Sequence, residues 1–467
     1  AVNHVKRPGG PDGRSEERIY WRPRFLEGGG RGGYAGERQV DQLARELRDR
    51  LEQATRLRML RADVPVGVYL SGGIDSSVIG ALVRRFHAGP LRTFLVQFEN
   101  RDFDERAYQQ QMIDRLGTDH ASVEVGYDDI ARLFPAVIWF TETPVLRAVP
   151  AFLFALSRLV RRSDYKVVLT GEGSDEFLAG YDLFREDRAR RFWARDPGSR
   201  LRPRLLERLY PWLSRSPARA RALQRTFFGK GLDQLDSPHF SHIPRWDSAA
   251  ALRRLFHPEL KQRLAGFDPV TALLDELPAE VRGWEPLGKA QFIEITTLLS
   301  GYLLSSQGDR MLMGNSVEGR FPFLDHEVME FANSLPPEAK LRVLDEKHIL
   351  KRAARDLVPD AILRRPKQPY RAPDAQSFVQ DDAPDYVAEL LSERAVDEAG
   401  VFSPKAAPRL LAKCRRTRAE TPSNADNMAL VGMLSTQLVH HQLIAGNGPL
   451  HPAPERLDTW IERPSAG

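Results

Sequence analysis

Ser71, Asp75, Ser76 and Ser77 stand with Gly72 and Gly73 where a short apolar run, Val64-Pro-Val-Gly-Val-Tyr-Leu70, gives way to a helix-forming one. Hydroxyls, glycines and one carboxylate in that order suit the capture of an anion. The glycines let the backbone turn sharply and approach a ligand, and the helix that follows points free N–H groups back at the turn. A carboxylate repels a phosphate, so Asp75 reads as the holder of a Mg²⁺ that bridges to one.

A second turn of similar construction follows the strand-like run Lys166–Thr170: Gly171-Glu172-Gly173-Ser174-Asp175-Glu176. Three carboxylates within five residues repel one another unless a cation or a substrate amine sits among them. The alternative is a solvated acidic turn that caps a helix. A phosphate loop on a neighbouring strand favours a shared Mg²⁺-nucleotide site.

The elements that must position these turns follow from hydrophobic period. Val66, Val68, Tyr69 and Leu70 read as a strand buried on both faces, and Leu91–Phe98, Ser122–Val125 and Lys166–Thr170 as further strands. Helical spacing over Ser76–Arg85, Asp104–Leu116, Asp128–Phe140 and Pro150–Arg162 separates them. Strands alternating with helices predict an α/β fold with a doubly wound parallel sheet, whose ligand crevice lies beyond the carboxyl ends of the strands. From Ala251 the pattern is helical, notably at Lys289–Leu304, His326–Ser334, Lys347–Leu357 and Asn424–His441.

The expected organisation is a flexible arm (1–36) with one aromatic island at Ile19-Tyr20-Trp21, an ATP-binding core (37–184), an Arg-rich helical insertion (185–250), a large helical lobe (251–445) and a Pro-rich tail (446–467). Arginines such as Arg188, Arg190, Arg191 and Arg202 are read as solvated helix faces, because acidic residues interrupt the run and no nucleic-acid module is recognisable.

A chain of 467 residues can bury a large core. Its single cysteine, Cys414, excludes intrachain disulfides and cysteine clusters, which fits a cytoplasmic location. The formal net charge of +5 is too small to mark a dedicated nucleic-acid surface, and no apolar run approaches the length of a membrane span.

The first turn lacks the Gly-Lys-Ser/Thr of a Walker loop and the three spaced glycines of a dinucleotide fold. It resembles the SGGxDSS pyrophosphate loop of enzymes that cleave ATP between its α and β phosphates. With GEGSDE at Gly171, SVEGRFPFLDH at Ser316 and EKHILKRAARDLVPDAILRRPK at Glu346, the chain resembles the synthetase domain of B-type, glutamine-dependent asparagine synthetases, a family related to β-lactam synthetases. The resemblance runs from about Tyr20 to Val439 and implies an adenine nucleotide α-hydrolase type of sheet. It further implies an ATP-dependent, AMP-forming amide ligase that adenylates aspartate or a similar carboxylate and transfers ammonia to it.

By the same resemblance Ser71, Gly72, Gly73, Asp75 and Ser76 hold the pyrophosphate of ATP, while Leu70, Val96, Thr170 and Gly171 cradle its adenosine. Asp75 and Asp175 hold Mg²⁺, Lys367 neutralises the leaving pyrophosphate, and Glu172 receives a proton from the attacking amine. Tyr181 and Glu318 match positions where β-lactam synthetases carry a Tyr/Glu pair; otherwise Tyr181 is a core aromatic and Glu318 the ion-pair partner of Arg310 or Arg320. The expected partners are a small carboxylate and ammonia or another amine, with room for a separate glutaminase subunit and a homodimer, and with no nucleic acid or membrane. Family enzymes begin with a glutaminase domain carrying a nucleophilic cysteine, and its absence is expected of a chain that starts at Ala1. The competing readings are a biosynthetic ligase or cyclase that uses another amine, a non-catalytic nucleotide-binding subunit, and a tRNA-modifying ATPase.

Overall fold

A computed structural model describes residues 2–6, 15–28, 36–98, 106–210, 218–365, 374–418 and 423–450. Five parallel strands form the central sheet: β3 (Val66–Tyr69), β4 (Arg92–Phe98), β5 (Asp119–Val125), β6 (Val167–Leu169) and β7 (Glu318–Arg320), in the order β5-β4-β3-β6-β7. Parallel neighbours require long crossovers, and here helices supply them: α2 (Ile74–Phe86), α3 (Arg106–Leu116), and α4 (Tyr127–Thr141) with α5 (Val149–Arg162). The strand β7 was not expected. Its three residues, Glu-Gly-Arg, carry no apolar alternation, and backbone pairing with Val167, Val168 and Leu169 alone makes them a strand.

The side-chain period of a strand divides the core in two. Val66, Val68, Val167 and Leu169 face one layer, built on α1 (Glu37–Leu60) and α2 with Leu47, Leu51, Ile79 and Leu82. Phe94, Val96 and Val168 face the other, built on α4, α5 and the helix Asn424–Val439 with Phe134, Phe152 and Leu434. The sheet is therefore doubly wound, as the alternating pattern predicts. Among the described residues no helix is long and apolar enough to cross a membrane.

The arginine-rich stretch differs from expectation. In the helix Asp182–Ala194 the Arg190 side chain is fully buried, and its guanidinium donates to the carbonyls of Phe228 (2.9 Å), Phe240 (2.6 Å) and Lys230 (2.6 Å). Five N–H donors in one planar group let a single arginine satisfy three backbone carbonyls. Charge is thus spent on internal order here rather than on a solvated face.

Near the amino terminus, β1 (Val2–Lys6) and β2 (Ser15–Ile19) pair antiparallel, and the chain then runs as a strap over the helical lobe. The Trp21 indole N–H donates to Glu330 Oε1 at 3.0 Å, and the buried Phe25 ring packs 5.4 Å from Trp284. Leu26 and Gly28 tie the strap by backbone bonds to Glu285 and Gly283.

Phe152, wholly buried in α5, sits 5.7 Å from Phe98 of β4 and welds helix to sheet. Phe152→Ala is expected to cost about 3–5 kcal/mol of unfolding free energy, read from urea denaturation at constant slope.

Candidate active site

Both glycine-rich turns lie at the carboxyl end of the sheet and touch. Leu70, the residue after β3, still bonds to β4 through its N–H and the Phe94 carbonyl (3.0 Å), and Thr170 after β6 does the same with Arg320 of β7. Beyond them the chain leaves the sheet at both strands. A Cβ on Gly171 would stand 2.8 Å from Asp75 Cβ and 3.0 Å from the Ser76 nitrogen, so only glycine allows the two turns to meet. Gly72 adopts φ +76°, the left-handed region, with buried Gln109 packed against it.

The first turn is built to receive a charge. Gly73 caps α2 with no side-chain oxygen of its own. The Ser76 hydroxyl instead accepts from the Ser71 N–H (3.1 Å) and lies 3.0 Å from the Ser71 hydroxyl, which folds the loop into a cup around the helix terminus. First-turn N–H groups and the positive end of the helix dipole both favour an anion there.

Opposite the cup stands a group that sequence reasoning overlooked. The Lys347 ammonium is 2% exposed and lies 2.7 Å from both oxygens of Asp75 and 2.6 Å from Asp175 Oδ1. The Ser174 hydroxyl adds a 2.7 Å bond to Asp75 Oδ1. The carboxylates of the two turns do require a cation among them, and the chain itself supplies one. Lys347 is held there against its local preference: its backbone is left-handed (φ 50°, ψ 31°), and it caps the amino end of the helix His348–Ala353, where a cation opposes the dipole. Gly180 makes the room, since a Cβ there would overlap Asp175 Oδ1 and Lys347 Cε.

Around this cluster opens a cleft of about 250 Å³. Of the residues expected to contact nucleotide, Leu70, Ser71, Gly73, Asp75, Ser76, Val96, Thr170 and Gly171 line it, with Glu172 and Asp175. Gly72 does not line it; it shapes the turn from behind. Phe94, Leu95, Leu153 and Leu156 give one wall an apolar surface suited to a planar base, while Gln307, Glu346, Lys351 and Arg365 make the far rim polar.

Tyr181 and Glu318 are not brought together as a pair. The Tyr181 hydroxyl donates to Glu176 Oε1 at 2.7 Å, with Glu176 buried and Tyr181 half-buried, whereas Glu318 is exposed and bonded to Arg320 Nε at 2.7 Å. Glu318 begins β7 opposite Val167, at the amino end of the strands, while the cleft lies at the carboxyl end. It does not line the cleft, and Arg320 rather than Arg310 is its partner. Lys367 lies outside the described residues.

The acid behind the turn is itself unusual. Burial pushes the Glu176 carboxyl up to about 8, with the nearby Asp175 charge adding to the effect. Its backbone carbonyl accepts from the Gln291 amide, whose Oε1 accepts from the Lys340 ammonium at 2.7 Å. Burial lowers Lys340 to about 7, and this nitrogen stands 5.4 Å from the Phe25 ring. A buried polar chain thus runs from the second turn to the strap.

Asp75 and Asp175 fit a Mg²⁺ chemically: two hard carboxylates suit an ion that draws the rest of its shell from phosphate and water. No group of three or more His, Cys, Asp or Glu side chains among the described residues could hold a metal. Phosphate oxygens would have to complete the site.

Two stability measurements probe the cluster. Lys347→Met leaves two facing carboxylates without their countercharge and is expected to cost about 3–5 kcal/mol. One carboxyl must then keep a proton, so the loss is larger at pH 8 than at pH 5. Glu176→Gln should flatten the wild-type profile. Folded Glu176 keeps a proton up to about pH 8 that the unfolded chain releases from about 4.5, so its contribution is full on the acid side and falls as pH rises through that window. Urea midpoints at pH 5.5 and 8 separate the two profiles.

Comparison with known proteins identifies the family. The asparagine synthase family model matches residues 46–441. A putative glutamine-hydrolyzing asparagine synthetase of Mycobacterium tuberculosis is 33% identical over 317 residues, 67% of this chain and 46% of that protein. Glutamine-hydrolyzing asparagine synthetase 1 of Bacillus subtilis is 28% identical over 84% of this chain and 59% of its own length. Amidase chyE of Penicillium rubens is 30% identical over 78% and 56%. The chain spans about half the length of the curated relatives it matches. Two touching glycine turns at the carboxyl ends of a doubly wound sheet, and a family match across most of the sequence, place this chain in the asparagine synthase family.

Proposed function

We propose that the chain is an ATP-dependent, AMP-forming amide ligase. The observation that carries this reading is the convergence of Asp75, Asp175, Lys347 and Glu172 on one cleft whose opposite side is a helix terminus open to phosphate. A carboxylate is a poor electrophile. Attack of its oxygen on the α-phosphorus of ATP forms an acyl-adenylate and breaks the bond to the β-phosphate oxygen, releasing pyrophosphate; an amine then attacks the acyl carbon and AMP leaves.

Most of the work is positioning and charge neutralisation. Ser71, Gly73 and Ser76 with the α2 terminus hold the pyrophosphate portion, and Phe94, Val96 and Leu153 flank the base. Asp75 and Asp175 would hold a Mg²⁺, which supplies positive charge to the phosphates. Lys347 keeps the two carboxylates together before nucleotide arrives. Glu172, on the lip of the cleft, receives the proton that the amine sheds. Lys367 takes the role toward the leaving pyrophosphate that the family resemblance gives it.

Aspartate, or a carboxylate like it, is the substrate we favour, with ammonia as the amine. The similarity to a chain named as an amidase supports a second reading within the same chemistry, a biosynthetic ligase with a larger carboxylate or another amine.

Purified protein with ATP, Mg²⁺, ammonium and a panel of carboxylates should release pyrophosphate and AMP in equal amounts with one of them. Glu172→Ala should lower amide formation about 10²–10⁴-fold while adenylation persists. Product mass separates the readings, because amidation adds one nitrogen and cyclisation removes water without adding any. Absence of AMP with every carboxylate would overturn both.

A further inference from the structure

A line of ion pairs and hydrogen bonds crosses from α1 to the rim of the nucleotide cleft, and one imidazole stands in the middle of it. At the α1 end, Arg352 of the helix His348–Ala353 bonds to Asp41 Oδ1 at 2.7 Å and to Glu37, which Arg342 also holds. The Arg352 Nε–H reaches His348 Nε2 at 3.2 Å. The other ring nitrogen, Nδ1, lies 2.7 Å from Asp345 Oδ2. Asp345 Oδ1 in turn accepts from the Lys351 ammonium at 2.7 Å, and Lys351 also bonds to Glu346 at 3.2 Å. Lys351 and Glu346 line the cleft.

These contacts settle the form of the ring. A guanidinium only donates, and an ionised carboxylate only accepts. Although burial raises it, bonds from His348 and Lys351 hold the Asp345 carboxyl below its ordinary range, so it accepts. Nδ1 therefore carries the proton and Nε2 is bare, which makes His348 the neutral Nδ1–H tautomer. Neither the other tautomer nor the imidazolium keeps both contacts, because each puts an N–H on Nε2 against that of Arg352. His348 is 12% exposed and Arg352 9%, so water is a poor substitute for a lost bond. Lys351, at 19%, opens onto the cleft. Among the described residues, Asp345 and Glu346 meet two of its three N–H groups, and the third is left for a ligand.

We propose that Lys351 binds an anionic group in the cleft, a phosphate of the nucleotide or the carboxylate of the substrate. Neutral His348 is the positioning residue that fixes it there through Asp345, while tying the same helix to α1 through Arg352. The ligand of Lys351 rests on the ligase reading; the tautomer and the tie to α1 do not.

Measurements on the full chain test this. Nitrogen NMR of isotope-labelled histidine, with the His348 signal assigned by its loss in His348→Asn, should show a bare Nε2 at pH 8. The two halves of the relay separate in two variants. His348→Asn places an N–H near the Nδ1 position and nothing at Nε2; His348→Gln places a carbonyl near Nε2 and nothing at Nδ1. His348→Asn should therefore keep ligand affinity and speed amide hydrogen exchange over Glu37–Ala44 about tenfold. His348→Gln should keep the exchange rates and weaken one ligand about tenfold, the size of one charge-assisted hydrogen bond. Lys351→Met should weaken the same ligand equally, with no further loss in the double variant. Weaker Mg-ATP binding in calorimetry assigns the phosphate, whereas a raised KM for the carboxylate that yields AMP, at unchanged ATP affinity, assigns the substrate. A proton on Nε2 at pH 8, both losses in both variants, additive losses at His348 and Lys351, or unchanged affinity for both ligands in Lys351→Met would each overturn the proposal. A wild-type chain that binds no nucleotide would overturn the ligase reading and the ligand of Lys351 together, with the ring signal and exchange rates still deciding the tie to α1.

Discussion

Three charged side chains from three distant parts of the sequence meet at one point, and the rest of the site is arranged so that they can. Asp75 follows the first strand of the sheet, Asp175 follows β6, and Lys347 arrives from the helical lobe, 272 positions along the chain from Asp75. Two carboxylates this close are costly without a cation, and a buried ammonium is costly without carboxylates. Each half of the structure therefore removes a penalty from the other. Core and lobe cannot be laid out independently, although each has apolar layers of its own.

The glycines and the strained lysine follow from that requirement. Gly171 lets the two turns approach until one backbone lies against the other, and Gly180 leaves the space through which the lysine stem passes. A left-handed backbone at a non-glycine residue is tolerated only where the surroundings dictate it, and two carboxylates dictate it here. The cleft is thus charged and shaped before any ligand enters, which reduces the reorganisation that binding must drive.

Much of this was legible beforehand. The sheet, its crossover helices and the two turns followed from β-branched runs, helical period and glycine placement, because those features act over a few residues. The repulsion among Glu172, Asp175 and Glu176 even signalled that a cation was missing from the picture. Its identity was not legible: Lys347 looks like one more residue on a basic helix, and only the tertiary fold brings it to Asp75. The same limit hid β7, a strand made by its neighbour's hydrogen bonds, and Arg190, whose partners are backbone carbonyls 38 to 50 residues away. Tyr181 and Glu318 show the converse case, in which the resemblance to β-lactam synthetases suggested a pair, whereas each side chain has its own partner, Glu176 and Arg320.

The polar chain from Glu176 through Gln291 and Lys340 to the ring of Phe25 alters where the folded unit can be said to begin. The sheet and its first supporting helix start at Glu37, and a shortened chain designed on secondary structure alone would be cut there. Such a cut removes the aromatic cover from a buried amine whose hydrogen bonds end on the second glycine turn. Water would then reach the back of that turn from the side opposite the cleft. In engineering terms the strap belongs to the foundations of the site, and Phe25 rather than Glu37 marks the near edge of the smallest piece worth isolating.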